Sequence, residues 1–273
     1  MIFKDNILKD KVAIVTGGGS GIGRGIAHAY AELGAKVVLA GRTPQKLESV
    51  AEEIKALKSE ALVVPTDIRE PEQVSELVKK AVEKFGHIDI LVNNAAGNFL
   101  SRAEELSVNG WRSVLNIVLD GTFYCTQAVG KQMMEQKNGG RMVNIVATYA
   151  WTGNPYTVHS ASAKAGVVAM TQTLAVEWAK HKIRLNAIAP GPIQTEGASK
   201  RLWAGFEEKL AKEVPVGRFG TIDEIAQAAV YLVSDAAAYI NGEVLVVDGG
   251  DWLGKSDFPE ELIDKLREMM KKK

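Results

Sequence analysis

The chain has 273 residues, 46% of them apolar, and its 33 basic side chains are matched by 33 acidic ones. A formal net charge of zero gives no basic field for a nucleic-acid backbone, and no run of about eighteen apolar residues is present for membrane insertion. Cys125 is the single cysteine, so no internal disulfide can form, and with the charged N-terminal segment this favours the cytoplasm.

Seven short runs rich in β-branched residues alternate with longer amphipathic stretches, and we predict that these runs are strands. Near-continuous apolar runs are typical of strands buried on both faces of a parallel sheet. Helix-start signals stand between them, such as Thr43-Pro44 and the capping-box pair Thr221 and Glu224. This alternation predicts an α/β fold of one domain, a doubly wound parallel sheet of about seven strands with helices on both faces. The predicted strands are Lys11–Thr16, Lys36–Ala40, Ala61–Pro65, Ile88–Asn93, Arg141–Ala147, Arg184–Ala189 and Val244–Val247.

A glycine-rich segment joins the first predicted strand to the first helix. Gly17, Gly21 and Gly23 form the pattern T-G-x-x-x-G-x-G directly after the strand. Glycines let the backbone approach a pyrophosphate, and the N-terminus of the following helix supplies free N–H groups and partial positive charge. We therefore predict a dinucleotide site, in which Ser20 and Ile22 also contact the cofactor.

The end of the second strand distinguishes NAD from NADP. NAD-dependent enzymes usually place an acid here to hold the ribose hydroxyls, whereas this chain reads Leu39-Ala40-Gly41-Arg42. The guanidinium of Arg42 suits a 2′-phosphate, which an acid would repel. The predicted cofactor is therefore NADP(H), and an ordinary exposed arginine is the alternative.

Three motifs together resemble those of the short-chain dehydrogenase/reductase family: the glycine-rich loop, Asn93–Gly97 after the fourth strand, and Pro190–Ile193 after the sixth. The resemblance covers about residues 8–253. It implies a Rossmann fold in one domain, residues 1–253, a nicotinamide cofactor and a homotetramer. The cofactor contacts that it implies are Asp67 and Ile68 at the adenine, Asn94, Ala95 and Lys164 along the dinucleotide, and Pro190, Gly191, Pro192 and Ile193 at the nicotinamide.

The tyrosine that usually performs catalysis in this family is absent. Lys164 is present, but Ser160 stands four residues before it, where the family has tyrosine. A serine hydroxyl is a far poorer proton donor than a phenol, whose pKa of about 10 a nearby ammonium lowers. Ala147 and Val118 stand near the family's serine and asparagine. The chain is therefore either inactive or performs a different reaction with other residues.

One branch of the family, the 2,4-dienoyl-CoA reductases, is similar to this chain in segments 93–99, 147–150 and 159–166. In that branch the tyrosine stands fifteen residues before the lysine, as Tyr149 does before Lys164. The similarity implies a reactive set of Tyr149, Asn98, Ser160 and Lys164. Tyr156 is a rival phenol. A core role for Tyr149, a turn role for Asn98 and a helix-start role for Ser160 are the alternatives.

The chemistry of a conjugated dienoyl thioester accounts for the substitution. Such a substrate accepts hydride at its δ carbon, and negative charge flows to the thioester oxygen as a dienolate. The site then needs hydrogen-bond donors aimed at that oxygen, for which Tyr149 and Asn98 are suited, and protonation at the α carbon follows. Lys164, one turn from Ser160, is expected to hold the nicotinamide ribose.

The resemblance also places Arg69, Phe99, Ser107 and Arg201 along the path of an acyl-CoA substrate. Arginines suit the phosphates of coenzyme A and Phe99 suits an acyl chain, whereas solvated arginines are the alternative. Residues 194–206 are predicted to form a mobile lid. Residues 254–273 form an amphipathic C-terminal extension, predicted to be a surface helix, with a membrane or partner helix as the alternative.

The sequence thus predicts an NADPH-dependent reductase of 2,4-dienoyl-CoA thioesters that serves the breakdown of unsaturated fatty acids. A trans-2-enoyl-CoA reductase is the nearest alternative, and Ser160 disfavours a ketone or alcohol dehydrogenase of the same family. A non-catalytic nucleotide-binding protein would leave Tyr149 and Asn98 without a purpose. The balanced total charge conceals a predicted anion-binding face, formed by Arg42, Arg69, Lys164 and Arg201.

Overall fold

All seven predicted strands form in the described part of the chain, and none begins or ends more than two residues from its predicted bound. The computed structural model describes residues 3, 5–198, 205–253, 267, 269 and 270. The β-branched runs are strands because such side chains suit an extended, buried backbone. The strands are β1 (Val12–Thr16), β2 (Lys36–Gly41), β3 (Ala61–Pro65), β4 (Ile90–Asn93), β5 (Gly140–Ile145), β6 (Ile183–Pro190) and β7 (Val244–Val247).

Helices connect the strands and cover both faces of the sheet. In the described ranges they are α1 (Gly21–Glu32), α2 (Pro44–Ala56), α3 (Pro71–Phe85), α4 (Val108–Leu115), α5 (Gly121–Gln136), α6 (Tyr149–Thr152), α7 (Val158–Glu177), α8 (Glu196–Ala198), α9 (Glu207–Glu213) and α10 (Ile222–Val233). A π-helical turn at Asn116–Asp120 joins α4 to α5. Thr221 and Glu224 form the predicted capping box of α10. Thr43 precedes α2 as predicted, but its hydroxyl makes no capping bond.

The sheet is parallel and has the strand order β3-β2-β1-β4-β5-β6-β7. The chain builds outward from β1 to β3 and then crosses back, so that β4 lies on the other side of β1. The fold is therefore the doubly wound Rossmann arrangement that the sequence predicted. Ligands of such sheets bind beyond the carboxyl ends of the strands where the order reverses, here between β1 and β4.

Two apolar cores lie on opposite faces of the sheet. Successive side chains of a strand point to opposite faces. Val15 of β1 therefore belongs to the core shared with α1, α2 and α10, whereas Ile14 belongs to the core shared with α3, α5 and α7. All five residues of β1 are buried. This double burial explains why the sequence of β1 is a run of apolar residues without a polar residue at every second position.

Some predicted segments fall outside the described residues. These are residues 199–204 of the predicted lid, with Arg201, and most of the predicted extension at 254–273. The described start of the lid continues from β6 and is anchored, because Ile193 pairs with Gly220 and the N–H of Gln194 donates to the Gly220 carbonyl at 2.9 Å. Within the described ranges, no helix has the length and apolarity that crossing a membrane requires.

Candidate active site

A single threonine hydroxyl joins the two loops that meet where the strand order reverses. Thr16, the last residue of β1, donates from Oγ1 to the carbonyl of Val92 in β4 at 3.2 Å. The same oxygen accepts the N–H groups of Asn94 and Ala95 at 3.0 and 3.1 Å. The side-chain amide of Asn94 in turn donates to the Thr16 carbonyl at 3.0 Å. The loop after β4 is therefore fixed against the loop after β1.

The glycine pattern after β1 has a steric cause. Gly17 and Gly21 have φ angles of 66° and 54°, a region in which other side chains are strained. A side chain on Gly23 would collide with the amide of Asn94 and the carbonyl of Gly17. Helix α1 can therefore begin close against the loop after β4. Ser20 precedes α1 without making a capping bond, so its hydroxyl and the first N–H groups of the helix remain for an anionic ligand.

A cavity of about 650 Å³ lies at the carboxyl edge of the sheet and holds most of the predicted cofactor residues. The predicted residues in its wall are Gly17, Ser20, Gly21, Ile22, Arg42, Asp67, Ile68, Asn94 and Ala95. Lys164 and Pro190–Ile193 stand outside this wall, as does Gly23, which packs under the loop. The wall also contains residues that sequence reasoning missed, among them Thr43, Lys46, Ile117 and Thr195.

The position of three missed residues in the sequence was a usable signal. Thr43 directly follows Arg42 and precedes α2, and Lys46 lies in the first turn of α2. A cavity wall that contains Arg42 is therefore expected to contain them as well. Thr195 follows the predicted contact Ile193 by two residues, so its position was a signal of the same kind. Ile117 carries no such signal, because no predicted cofactor contact stands near it in the sequence, and its placement depends on tertiary packing.

The segment after β6 is held by backbone hydrogen bonds. The N–H of Gly191 donates to the carbonyl of Val247 at 3.0 Å, and the N–H of Gly220 donates to the carbonyl of Pro192 at 2.9 Å. The chain then reaches the cavity wall at Thr195. The predicted nicotinamide border therefore leads into the wall of the cavity without being part of it.

Charges of both signs stand at the cavity wall. The Arg69 guanidinium pairs with Asp67, with Nε 2.9 Å from Oδ1 and Nη2 2.5 Å from Oδ2. These bonds, together with the nearby charge of Arg42, lower the pKa of the Asp67 carboxyl, and Asp67 raises the pKa of Arg69. Arg42 and Lys46 make no ion pair within the described residues. Asp67 is thus ionised but neutralised by Arg69, which leaves Arg42 and Lys46 as the cations facing the cavity.

Tyr149 and Ser160 meet through their hydroxyl groups, although they belong to different helices. Their oxygens lie 3.1 Å apart, and Ser160 is buried. Burial raises the pKa of Tyr149, although the hydrogen bond with Ser160 acts in the opposite direction. The phenol is therefore neutral and able to donate at neutral pH. Tyr156, the rival phenol, is 60% exposed and has a φ angle of 64°, so the geometry favours Tyr149.

Lys164 lies one turn beyond Ser160 on the buried face of α7. Its ammonium donates to the carbonyl of Ile145, the last residue of β5. Burial lowers the pKa of Lys164 to about 8, and no carboxylate pairs with it in the described part of the chain. The side chain is therefore mostly positive at neutral pH, and it loses its proton at a lower pH than an ordinary lysine does.

Asn98 lies on the loop that continues from Asn94 and Ala95. Its Oδ1 accepts the N–H of Phe99 at 2.9 Å, while its amide N–H groups have no partner among the described residues. The Asn98 side chain is thus fixed through Oδ1, and its Nδ2 hydrogen atoms are available to a ligand. The N–H of Ser101, farther along this loop, donates to the carbonyl of Tyr156 at 2.9 Å, which brings the loop against the start of α7.

The predicted substrate path is present only in part. Phe99 is partly exposed beside Asn98. Ser107 is the N-cap of α4, where its Oγ accepts the N–H of Gly110 at 3.0 Å, so its hydroxyl has a structural role. Arg69 is bound to Asp67, and Arg201 lies outside the described residues.

The positions near the family's usual serine and asparagine are apolar and buried. Ala147 and Val118 are 7% and 1% exposed. Val118 lies in the π-helical turn before α5, and its neighbour Ile117 lines the cavity. Turns of this kind frequently occur at functional sites. The backbone positions of Ala147 and Val118 therefore bring no side-chain hydrogen-bond donor to the site.

Comparisons with known proteins match most of the chain. The family described as Enoyl-(Acyl carrier protein) reductase matches residues 17–251. A probable 2,4-dienoyl-CoA reductase of Bacillus subtilis, named as (2E)-enoyl-CoA-producing, is 46% identical over 255 residues, which cover 92% of this chain and 100% of that protein. The peroxisomal 2,4-dienoyl-CoA reductase of Mus musculus, named as (3E)-enoyl-CoA-producing, is 42% identical over 255 residues, which cover 92% of this chain and 87% of that protein.

Solved structures share the fold. A short chain dehydrogenase from Bacillus anthracis has a TM-score of 0.84 and 51% identity, covering 92% of this chain and 100% of its own. A putative NAD(P) dependent gluconate 5-dehydrogenase from Beutenbergia cavernae, solved with bound NADP at low occupancy, has a TM-score of 0.85 and 36% identity. That match covers 90% of this chain and 98% of the other.

Substitution of the buried lysine, Lys164→Met, is expected to change how stability depends on pH. An unfolded lysine has the ordinary pKa of 10.5, whereas burial lowers the pKa of Lys164 in the folded protein to about 8. Between these values the unfolded chain binds more protons, so the contribution of Lys164 makes the free energy of unfolding increase as pH rises. Relative to Lys164→Met, the wild type should gain up to about 1.4 kcal/mol per pH unit across this window.

Urea unfolding of both proteins between pH 7 and pH 10.5 measures this difference. Lys180→Met, at an exposed lysine, is the matched control and should show no such gain. A difference between wild type and Lys164→Met that stays constant with pH would contradict a buried ammonium with a lowered pKa.

Proposed function

Given that the chain belongs to the short-chain dehydrogenase/reductase family and is an oxidoreductase, we propose that it reduces 2,4-dienoyl-CoA thioesters to enoyl-CoA with NADPH, in the breakdown of unsaturated fatty acids. The observation that carries this proposal is the contact between the hydroxyl groups of Tyr149 and Ser160. A serine occupies the helix position four residues before Lys164, and a phenol reaches it from a different helix. Relatives named 2,4-dienoyl-CoA reductases support the substrate class.

A conjugated thioester suits this arrangement because its hydride acceptor and its charge acceptor are different atoms. The cofactor supplies a hydride, which the substrate accepts at its δ carbon. Negative charge then collects on the thioester oxygen. Donors aimed at that oxygen stabilise the transition state, while no strong acid is needed at the carbon that accepts hydride.

Tyr149 and Asn98 are the proposed donors to the thioester oxygen. The phenol of Tyr149 donates to the substrate while it accepts a hydrogen bond from Ser160, which fixes its direction. Asn98 is oriented by the Phe99 N–H on its Oδ1, so that its amide N–H groups point away from that bond. Because both donors are held before the substrate arrives, little reorganisation is needed in the reaction.

Lys164 is proposed to hold the ribose of the nicotinamide half. Its ammonium already donates to a backbone carbonyl at the end of β5, next to the cofactor edge of the sheet. Ribose hydroxyl oxygens also accept hydrogen bonds, and an ammonium has three N–H donors. Lys164 can therefore donate to the ribose and to the Ile145 carbonyl at the same time. A positive charge at this place also favours the developing dienolate.

The position of the product double bond depends on where the dienolate is protonated. Addition of the proton at the α carbon gives a (3E) product, whereas addition at the γ carbon gives a (2E) product. We propose the α carbon, and the (3E) product named for the mouse relative supports this choice. A (2E) product, as named for the Bacillus subtilis relative, would assign the γ carbon instead.

NADPH is the proposed cofactor because two cations stand at the end of β2. Arg42 and Lys46 line the cavity wall, and the Thr43 hydroxyl beside them makes no capping bond. These groups, at the N-terminus of α2, suit a phosphate dianion. The carboxylate of Asp67, which lies near Arg42 on this wall, is paired with Arg69. The related structure with bound NADP supports this assignment.

The substrate contacts of Phe99, Ser107, Arg69 and Arg201 stay part of the proposal. To bind a phosphate of the substrate, Arg69 must break its ion pair with Asp67. The Ser107 oxygen already accepts a hydrogen bond as the N-cap of α4, so only its hydroxyl hydrogen can bond to the substrate. Phe99 therefore has the best support among the described contacts. A homotetramer and a cytoplasmic location stay predictions from the sequence.

The proposed reaction is tested by NADPH oxidation with three thioesters side by side. We expect turnover with a 2,4-dienoyl-CoA and much less with a trans-2-enoyl-CoA or a 3-ketoacyl-CoA, because only the dienoyl ester has a δ carbon in conjugation with the thioester. Analysis of the product gives the double-bond position. Activity with the ketoacyl ester alone would refute the proposal.

Removal of either proposed donor should reduce the rate without affecting cofactor binding. Tyr149→Phe and Asn98→Ala are each expected to lower kcat for a dienoyl-CoA by roughly 100-fold to 1,000-fold, as the loss of one oxyanion donor does elsewhere. The dissociation constant for NADPH, measured by fluorescence titration, should stay unchanged. Tyr156→Phe is the matched control for a lost phenol. Full rate in either donor variant would exclude that residue from the role.

Arg42→Ala should discriminate between the two nicotinamide cofactors. Loss of a charged contact with the 2′-phosphate is expected to raise KM for NADPH by roughly 10-fold to 100-fold, while KM for NADH changes little. Lys55→Ala, an exposed cation at the other end of α2, is the control. An equal loss with both cofactors would show that Arg42 does not bind the 2′-phosphate.

A further inference from the structure

We propose that His159 is a further substrate-binding residue, whose imidazole makes a hydrogen bond with the amide-bearing arm of the coenzyme A thioester. This inference rests on the proposed function, because it adds a contact for the same substrate. His159 is the second residue of α7 and directly precedes Ser160. The reaction described above does not use it.

The imidazole of His159 is buried without a polar partner. The residue is 0% exposed, and neither Nδ1 nor Nε2 makes a hydrogen bond within the described residues. Buried polar atoms without partners are rare in native proteins, because burial removes their bonds to water and returns nothing. Burial also lowers the pKa of His159, so that the ring is neutral at pH 7 and offers one donor and one acceptor.

His159 lies between the two segments that carry the proposed donors. Its ring packs against that of Phe99, with 4.4 Å between the ring centroids and 60° between the planes. Phe99 directly follows Asn98, and Ser160, which contacts Tyr149, directly follows His159. The unpartnered ring is therefore next to the proposed reaction centre on both sides.

The ring of Phe99 covers one side of the imidazole and is itself partly exposed. Phe99 is 37% exposed, and its other side contacts His159. The backbone bond between Ser101 and Tyr156 holds the surrounding loops together while leaving the Phe99 side chain without a polar restraint. In this proposal, displacement of the Phe99 ring would give a substrate access to the His159 imidazole.

A coenzyme A thioester offers matching groups at this point. The pantetheine arm next to the sulfur carries secondary amides, each with one N–H donor and one carbonyl acceptor. A neutral imidazole presents the complementary acceptor and donor. A purely structural residue under Phe99 would gain from an apolar ring, which fills the same space without unpartnered nitrogen atoms.

The test uses the NADP-loaded full chain and hexanoyl-CoA, a saturated thioester that carries the same pantetheine arm and has no double bond to reduce. His159→Phe keeps the aromatic contact with Phe99 and removes both nitrogen atoms. Calorimetric titration should show a dissociation constant for hexanoyl-CoA that is raised roughly tenfold, as expected for one lost hydrogen bond. His159→Gln, which keeps a donor and an acceptor, should recover part of the affinity. His181→Phe, in the turn before β6 at the opposite edge of the sheet, should bind as the wild type does.

A measurement on the wild type keeps the proposal testable if His159→Phe does not fold. The chain has only four histidines, so nitrogen NMR of the imidazole rings resolves His159. Its ring signals should move when hexanoyl-CoA is added, while those of His28, His87 and His181 stay in place. Binding of hexanoyl-CoA with no response at His159, or with unchanged affinity in a folded His159→Phe, overturns the proposal.

The outcomes separate this inference from the proposed function. Reduction of dienoyl-CoA with no response at His159 refutes the role of His159 alone. A response at His159 without reduction of any dienoyl-CoA refutes the proposed reaction alone. Lack of any binding of hexanoyl-CoA together with no reduction of any dienoyl-CoA refutes both.

Discussion

The hydroxyl of Thr16 is the contact on which the candidate site depends, because it joins the carboxyl ends of two neighbouring parallel strands. At these ends the backbone loses its sheet partners, and the hydroxyl bonds one carbonyl of β4 and two N–H groups that follow it. The glycine-rich loop lies on one side of this tie, and the chain from Asn94 to Asn98 lies on the other. The dinucleotide cavity and a proposed oxyanion donor are thus positioned by the same side chain.

How far the sequence predicted this site depends on whether the signal was local. Runs rich in apolar residues predicted every strand within two residues, because burial on both faces of a parallel sheet leaves few polar positions. Ser160 stands where the family has tyrosine, and the spacing of Tyr149 from Lys164 predicted a replacement phenol. In the structure the hydroxyls of Tyr149 and Ser160 are in contact. The pairing of Arg69 with Asp67 and the isolation of the His159 ring were not predictable, because each depends on distances between segments that no spacing encodes.

Of the four cations predicted for an anion-binding face, Arg42 lines the cavity, and Arg201 lies outside the described residues. Arg69 forms an ion pair with Asp67. The Lys164 ammonium is buried and donates to the Ile145 carbonyl, and it does not line the cavity. Lys46 joins Arg42 at the wall, since the first turn of α2 follows Arg42 directly. A chain without net charge can therefore carry positive charge at the cavity wall. The Asp67 carboxylate there is paired with Arg69, and Arg42 and Lys46 form no ion pair within the described residues.

The phenol and the lysine of this site belong to separate helices, and this has a consequence for how such sites change. With both groups on one helix, their separation is set by the helical rise. Here α6 has four residues and ends at Gly153, whose φ angle of 69° turns the chain towards α7. The connecting segment 153–157 therefore acts as an adjustable spacer. Insertions or deletions in it would move the phenol of Tyr149 while the Lys164 side chain stayed at the end of β5, so that the two proposed roles could change separately.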